Sequence, residues 1–298
     1  MINNLLIILY LISPMYGIFR TIIMLFMILL NKPNYIFLRW EIFVLIFASY
    51  STLFCDNPVK SFFGDIHIGG GALDIILTVF YPYFNSNNKK VFVYGALFVS
   101  ILIILGFSSE HKREISNGLF ASASFISTVY IRFIFLAVSV YCRSRTATFI
   151  ICLSIFLKLK SIKLKLLIVI MAIAFFTYES YLRFQYIDKN ILDSLTTDRF
   201  YQWMNIPKGV RGFDISLSSI ETVKYHNAFV DMRVASGYWI LPFVWFCFIC
   251  SYRSFVPSYY LLSFLLVQFF WYNSSIILFS WFFLLNTKFN RSEDVYPY

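Results

Sequence analysis

Only 13% of the 298 residues are charged, and acids are the scarcer class, 15 Asp and Glu against 25 Lys and Arg. That shortage excludes an ordinary water-soluble domain, which needs a charged surface to stay in solution. Five cysteines (Cys55, Cys142, Cys152, Cys247, Cys250) mostly lie in or beside apolar stretches, without the spacing of a zinc site or a disulfide framework. They read as small buried hydrophobes, and the Cys247 and Cys250 pair as a packing pattern rather than a redox motif. No Asp-x-Asp pair occurs in the chain, which weighs against a metal-dependent transfer from a nucleotide sugar. No basic patch with interleaved aromatics stands on a soluble surface, so nucleic acid is not an expected partner. The first segment, about 5–30, begins with almost no positive charge and lacks a small-residue cleavage site. It reads as a retained helix rather than a signal peptide, with Pro14 and Arg20 marking a kink or a break into two short helices.

What is abundant is apolar: 59% hydrophobic and 21% aromatic residues, with a mean hydropathy of +0.72. Measured against a hydrocarbon core of about 30 Å, the apolar runs predict about ten helices in a single all-α transmembrane domain over residues 1–298. The first centre falls between Ile12 and Met24. The others fall near Phe43, Ile76, Leu97, Ser127, Cys152, Met171, Val244, Leu265 and Phe279. The densest basic segment, KLKSIKLK at 158–165, marks the cytoplasmic side. HKRE at 111–114, Arg253 and the tail with Lys288 and Arg291 fall on the same side by this count, which puts both termini in the cytoplasm. Lys89 and Lys90 fall outside and are its exception.

The same count turns the long loop 179–237 outward, and a loop of that length in a compact domain is usually functional. Within it, SLTTDRFYQWMNIPKG at 194–209 carries helix signals, with Ser194 or Thr196 as cap and Pro207 with Gly209 as stop. Arg199 and Trp203, four apart, share one face of that helix and either meet one ligand or belong to an interfacial aromatic belt. Farther on, KYHNAFVDMRVASG at 224–237 predicts a helix from near Tyr225 that gathers His226, Asn227, Val230 and Arg233 before Gly237. A neutral imidazole at a membrane boundary can accept a proton from a hydroxyl, although a lone interfacial histidine is more often structural. Asn227 either caps that helix or holds a sugar hydroxyl. Arg143 and Arg145, at the outer end of two apolar runs, either pair with the loop acids Glu179, Asp188, Asp193, Asp198, Asp214, Glu221 and Asp231 or grip phosphate bidentately.

Three of these features resemble, in their order, the O-antigen polymerase and ligase superfamily of polytopic membrane glycosyltransferases. They are the run Ser144, Arg145, Thr146, Ala147 opening a helix, Asp198 and Arg199 with Trp203 in a large outer loop, and His226 and Asn227 followed by Phe229 and Gly237. The likeness covers about 140–250, while the amino-terminal third matches only in being hydrophobic, and the chain is short for the family. The resemblance implies a metal-independent glycosyltransferase fold of the C type, with no cofactor, in a bacterial inner membrane. The donor it implies is an undecaprenyl-pyrophosphate-linked oligosaccharide, and a flippase and a chain-length regulator are the companion proteins. The acceptor is a second lipid-linked repeat in a polymerase, or the lipid A core in a ligase. Arg145 and Arg199 match the arginines that hold the pyrophosphate, and His226 the histidine near the attacking hydroxyl. Arg143, Trp203, Arg211, Asn227 and Arg233 are the further substrate-binding candidates. A lipid-linked-oligosaccharide flippase is the rival from another class, although the chain shows no internal repeat of the kind transporter halves leave.

Overall fold

The computed structural model describes residues 2–12, 17–31, 38–65, 69–81, 84, 86–107, 111–184, 203, 206, 208–213, 227–271 and 274–287. They form an all-helical bundle. Its helices are α1 (Ile2–Ile12), α2 (Gly17–Leu30), α3 (Leu38–Leu53), α4 (Pro58–Phe63), α5 (Ala72–Val79) and α6 (Ser86–Ile104). A rod follows, made of α7 (Lys112–Ile115), a π turn (Ser116–Phe120) and α8 (Ala121–Ile126). Then come α9 (Val129–Tyr141), α10 (Arg145–Lys158), α11 (Ile162–Phe184), α12 (Ala228–Ser236), α13 (Ile240–Ser251), α14 (Ser258–Phe270) and α15 (Ser275–Leu285). Paired strands among the described residues are limited to Gly64–Asp65 against Gly69–Gly70.

Helix α15 lies at the centre, with every residue from Ser275 to Leu285 buried. Rings from four other helices stack on it: Tyr10 on Phe279 at 3.8 Å, Phe92 on Phe283 at 4.2 Å, Phe264 on Trp281 at 5.4 Å and Phe248 on Phe282 at 5.7 Å. Each such pair contributes about 0.5–1.5 kcal/mol beyond its buried area. Gly118 in the π turn permits a further close approach, because a Cβ there would sit 2.9 Å from the Ile276 carbonyl oxygen.

The outer surface reverses the distribution of a soluble bundle. Leu5, Phe26, Leu29, Ile101, Leu166 and Ile173 are exposed, while Arg20, Glu41, Asp74, Glu114, Arg132 and Glu179 are buried. Asn87–Ile104 is the one described window long and apolar enough to cross a bilayer alone, and seven further apolar helices are shorter.

Two expectations are corrected. The apolar run around Ser127 is not one helix: Ser127 and Thr128 are extended and separate α8 from α9. The Ser127 hydroxyl donates to the Ser124 carbonyl at 3.1 Å, a local bond that competes with continuing the helix. Lys112 then lies over the Tyr141 ring, 5.7 Å from its centre, so the rod and α9 form a hairpin. Two antiparallel helical segments stand where one helix is expected, and Lys112 and Arg113 share an end with Arg143 rather than with the basic turn 158–165. The start of α6, which carries Lys89 and Lys90, also lies at the other end of the bundle from the one expected. Asn88 donates to Asn4, the Phe84 N–H donates to the Asn286 carbonyl, and Asn286 donates to the Tyr252 hydroxyl. These contacts set the start of α6 at the end of the bundle that holds Arg253 and, through Phe125 against Tyr260, the Ser127 break. The second correction concerns the long loop: α11 continues to Phe184, so Glu179 and Ser180 are helical residues.

Candidate functional site

The turn between α9 and α10 is built from two helix caps that share one residue. Helix α9 ends with Ser144 N–H donating to the Ser139 carbonyl (3.0 Å) and Arg143 N–H to the Val140 carbonyl (2.9 Å). This is the Schellman pattern, and Arg143 stands at its left-handed position with φ of 53°, where glycine is the usual occupant. Ser144 then caps α10, its hydroxyl accepting from Ala147 N–H at 3.4 Å. The double cap sends two guanidinium groups toward α11. Arg143 Nε lies 3.6 Å from Glu179 Oε1, with the Arg143 side chain 59% exposed and that of Glu179 only 5%. Arg145 Nη1 donates to Ser180 Oγ at 3.4 Å, and its guanidinium lies 5.3 Å from the centre of the Phe176 ring.

Arg145 also stands on the wall of a cavity of about 500 Å³ between α10 and α11. The remaining wall is apolar, with Cys152, Phe156, Ile168, Ala172 and Phe176, except for Thr148 and Thr177. Thr148, one turn beyond Arg145, is 2% exposed, and its Oγ1 is buried with no hydrogen-bond partner among the described residues. A greasy chamber with a guanidinium beside it suits an amphiphile that carries an anionic head.

The other sequence candidates form a second grouping. Asn227 is buried and caps α12, its Oδ1 accepting from Phe229 N–H (3.0 Å) and Val230 N–H (3.2 Å). Of its two expected roles, the structure shows the cap. The helix therefore starts at Ala228, later than the expected Tyr225, because Asn227 satisfies its first amides, and Gly237 closes it in the left-handed conformation. Arg233 is half-buried, and its Nη1 is shielded with no hydrogen-bond partner among the described residues. The Arg211 side chain is exposed, and its N–H donates to the Val234 carbonyl at 3.2 Å. Phe213 N–H donates to Ser61 Oγ at 2.9 Å, so residues 211–213 run between α12 and α4. Trp203 meets the Phe269 ring edge-on at 5.8 Å. Arg199 and His226 lie outside the described residues, as does most of the helix expected over 194–209.

Sequence reasoning passed over a buried polar cluster beneath α1, α2 and α5. Asp74 accepts from Thr21 Oγ1 and from Gly70 N–H, both at 2.6 Å. Arg20 lies within electrostatic reach of Tyr10, Asp74 and Glu114. From the sequence Arg20 reads as part of a kink or a break, and its two acids, Asp74 and Glu114, lie in distant segments that leave no spacing to find. Among the described residues, no three His, Cys, Asp or Glu side chains gather in a way that would hold a metal ion. No family model matches the chain, and no curated protein or solved structure matches it.

Proposed function

We propose that the chain is a polytopic membrane glycosyltransferase that joins isoprenyl-diphosphate-linked oligosaccharide repeats, at the end of the bundle that carries Arg143 and Arg145. The observation that carries this reading is Arg145 beside the apolar cavity between α10 and α11, with Arg143 two residues away. The cavity suits part of an isoprenyl chain, and the guanidinium suits its diphosphate. The exposed aliphatic belt and the buried ionisable groups support a bilayer setting, where lipid replaces water around the bundle.

Breaking the bond from the anomeric carbon to the diphosphate puts growing negative charge on the leaving oxygens. A guanidinium held by Ser180 and Phe176 in poorly hydrated surroundings stabilises that charge more in the transition state than in the ground state. Arg199 would be the second guanidinium, and His226 the group that orients or deprotonates the acceptor hydroxyl. A ligase acting on a lipid A core uses the same chemistry with another acceptor. A transporter reading draws on the buried Arg20, Asp74 and Glu114, because enclosed ionisable groups mark ion and substrate paths.

The test replaces Arg145, Arg199 and His226 singly with Ala in cells lacking the native gene, with lipopolysaccharide ladders as readout. The expected result is loss of long chains while a single capped repeat remains. Loss of every capped form marks a ligase or flippase, and normal ladders from all three variants end the site assignment.

A further inference from the structure

The π turn has a task that neither its position nor its composition announces. A π segment widens a helix by one residue and displaces side chains from the regular pattern, and such segments recur at functional sites. Here it carries Asn117, 1% exposed, whose Oδ1 accepts from the Ser144 hydroxyl at 2.7 Å. The Asn117 main-chain carbonyl is held in turn by Trp281 Nε1 at 3.0 Å, which ties the residue to the central helix. Ser144 is the residue shared by the two caps. Its single hydroxyl hydrogen goes to Asn117, which leaves a lone pair aimed at Ala147 N–H. The direction of both bonds is therefore set from Asn117. Arg143 and Arg145 flank Ser144, so the turn that carries both guanidinium groups is tied to one buried amide 27 residues upstream in the chain.

Resting on the proposed diphosphate-binding role of the two arginines, we infer that Asn117 is a positioning residue. Through the Ser144 hydroxyl it fixes the α9–α10 turn so that Arg145 faces the anionic head of an isoprenyl diphosphate. Strain supports this. Arg143 holds a left-handed backbone at a position that favours glycine, and such conformations persist where surrounding contacts over-determine them. The Asn117 to Ser144 bond is one of those contacts.

The experiment uses the full chain in lipid nanodiscs and compares radiolabelled farnesyl diphosphate with farnesol, which lacks the charged head. Asn117→Ala and Ser144→Ala should each weaken farnesyl diphosphate binding about tenfold and leave farnesol binding unchanged. The double variant should lose no more than Ser144→Ala alone, because Ser144→Ala already removes the bond to Asn117 together with the α10 cap. Arg145→Ala should lose the diphosphate preference altogether. If Asn117→Ala and Ser144→Ala stay within about twofold of wild type for farnesyl diphosphate while Arg145→Ala does not, the inference falls and the role of Arg145 stands. If Arg145→Ala binds like wild type, the reading beneath it falls. Equal loss of both ligands in Asn117→Ala would reduce Asn117 to a structural residue and overturn the proposal. Should Asn117→Ala not fold, Asn117→Leu removes the same bond at nearly the same volume, leaves the Ser144 cap of α10 in place and decides the matter.

Discussion

The Arg132 guanidinium holds the Ser127 carbonyl with both Nε and Nη2, each at 3.0 Å, across the break between α8 and α9. It also donates to the carbonyls of Phe125 and Ser154. One buried side chain thus serves the Phe125 and Ser127 carbonyls, which the interruption leaves without helical amides, and ties the break to α10 through Ser154. Arg132→Met removes all of these donors and should lower stability by about 3 kcal/mol or more, whereas Arg132→Lys, without the planar fork, should lose less. Thermal unfolding in detergent checks the order. Because Arg132 meets α10 at the end remote from Arg145, folded Arg132→Lys should leave the proposed glycan transfer unchanged.

Gly118 tests how closely the π turn must approach α15. An added Cβ would meet the Ile276 carbonyl oxygen at 2.9 Å and Ile277 Cα at 3.0 Å, both backbone atoms. Gly118→Ala should therefore cost about 1–3 kcal/mol. Gly95→Ala meets only the Leu11 side chain, at 2.4 Å to Cδ1, which can rotate away. Melting curves that rank Gly95→Ala below Gly118→Ala in stability would contradict this contact.

Arg143 separates backbone strain from side-chain function. Arg143→Gly and Arg143→Ala both lose the pair with Glu179, but only glycine is at ease with φ of 53°. The glycine variant should be the more stable of the two by about 1 kcal/mol, and under the proposed function both should transfer glycan more slowly. Full activity in Arg143→Gly would remove Arg143 from the site.

Asn227 offers a cleaner division. Removing its cap with Ala should cost about 1 kcal/mol, while Ser or Asp keeps an oxygen for the Phe229 and Val230 amides. If capping is its whole contribution, Asn227→Ser should restore both stability and glycan ladders. Normal stability with lost ladders would assign it a sugar contact as well.

The corrected hairpin predicts opposite faces for two basic segments. In sealed vesicles, cysteines substituted at Arg113 and Lys163 should react with an impermeant maleimide from opposite sides. Labelling of both from one side would contradict the reading of these helices as membrane passes.

Much of the helical arrangement is legible from apolar run length, because runs bounded by Asn57, Ser144, Asn227 and Gly237 end where those residues cap. The break at Ser127 is not legible, since the apolar residues on either side conceal two extended positions that only the fork of Arg132 makes tenable. The site divides the same way. Arg143 and Arg145 announce themselves as charges beside apolar runs, whereas Glu179 is one of seven loop acids among which only the structure chooses. Thr148 and Asn117 do not, because an ordinary polar residue inside a helix acquires meaning only from what packs opposite it. Asn117 meets Ser144 only after the chain has turned back along α9, a relation no local window contains.

Helix α15 is enclosed along its whole length, yet of the described helices it is the last to leave the ribosome. Tyr10, Phe92, Phe248 and Phe264 are all synthesised before the rings they stack upon. The core therefore cannot be completed before Leu285 has been added, and a nonsense codon ahead of Ser275 would leave those four rings without the partners they stack upon.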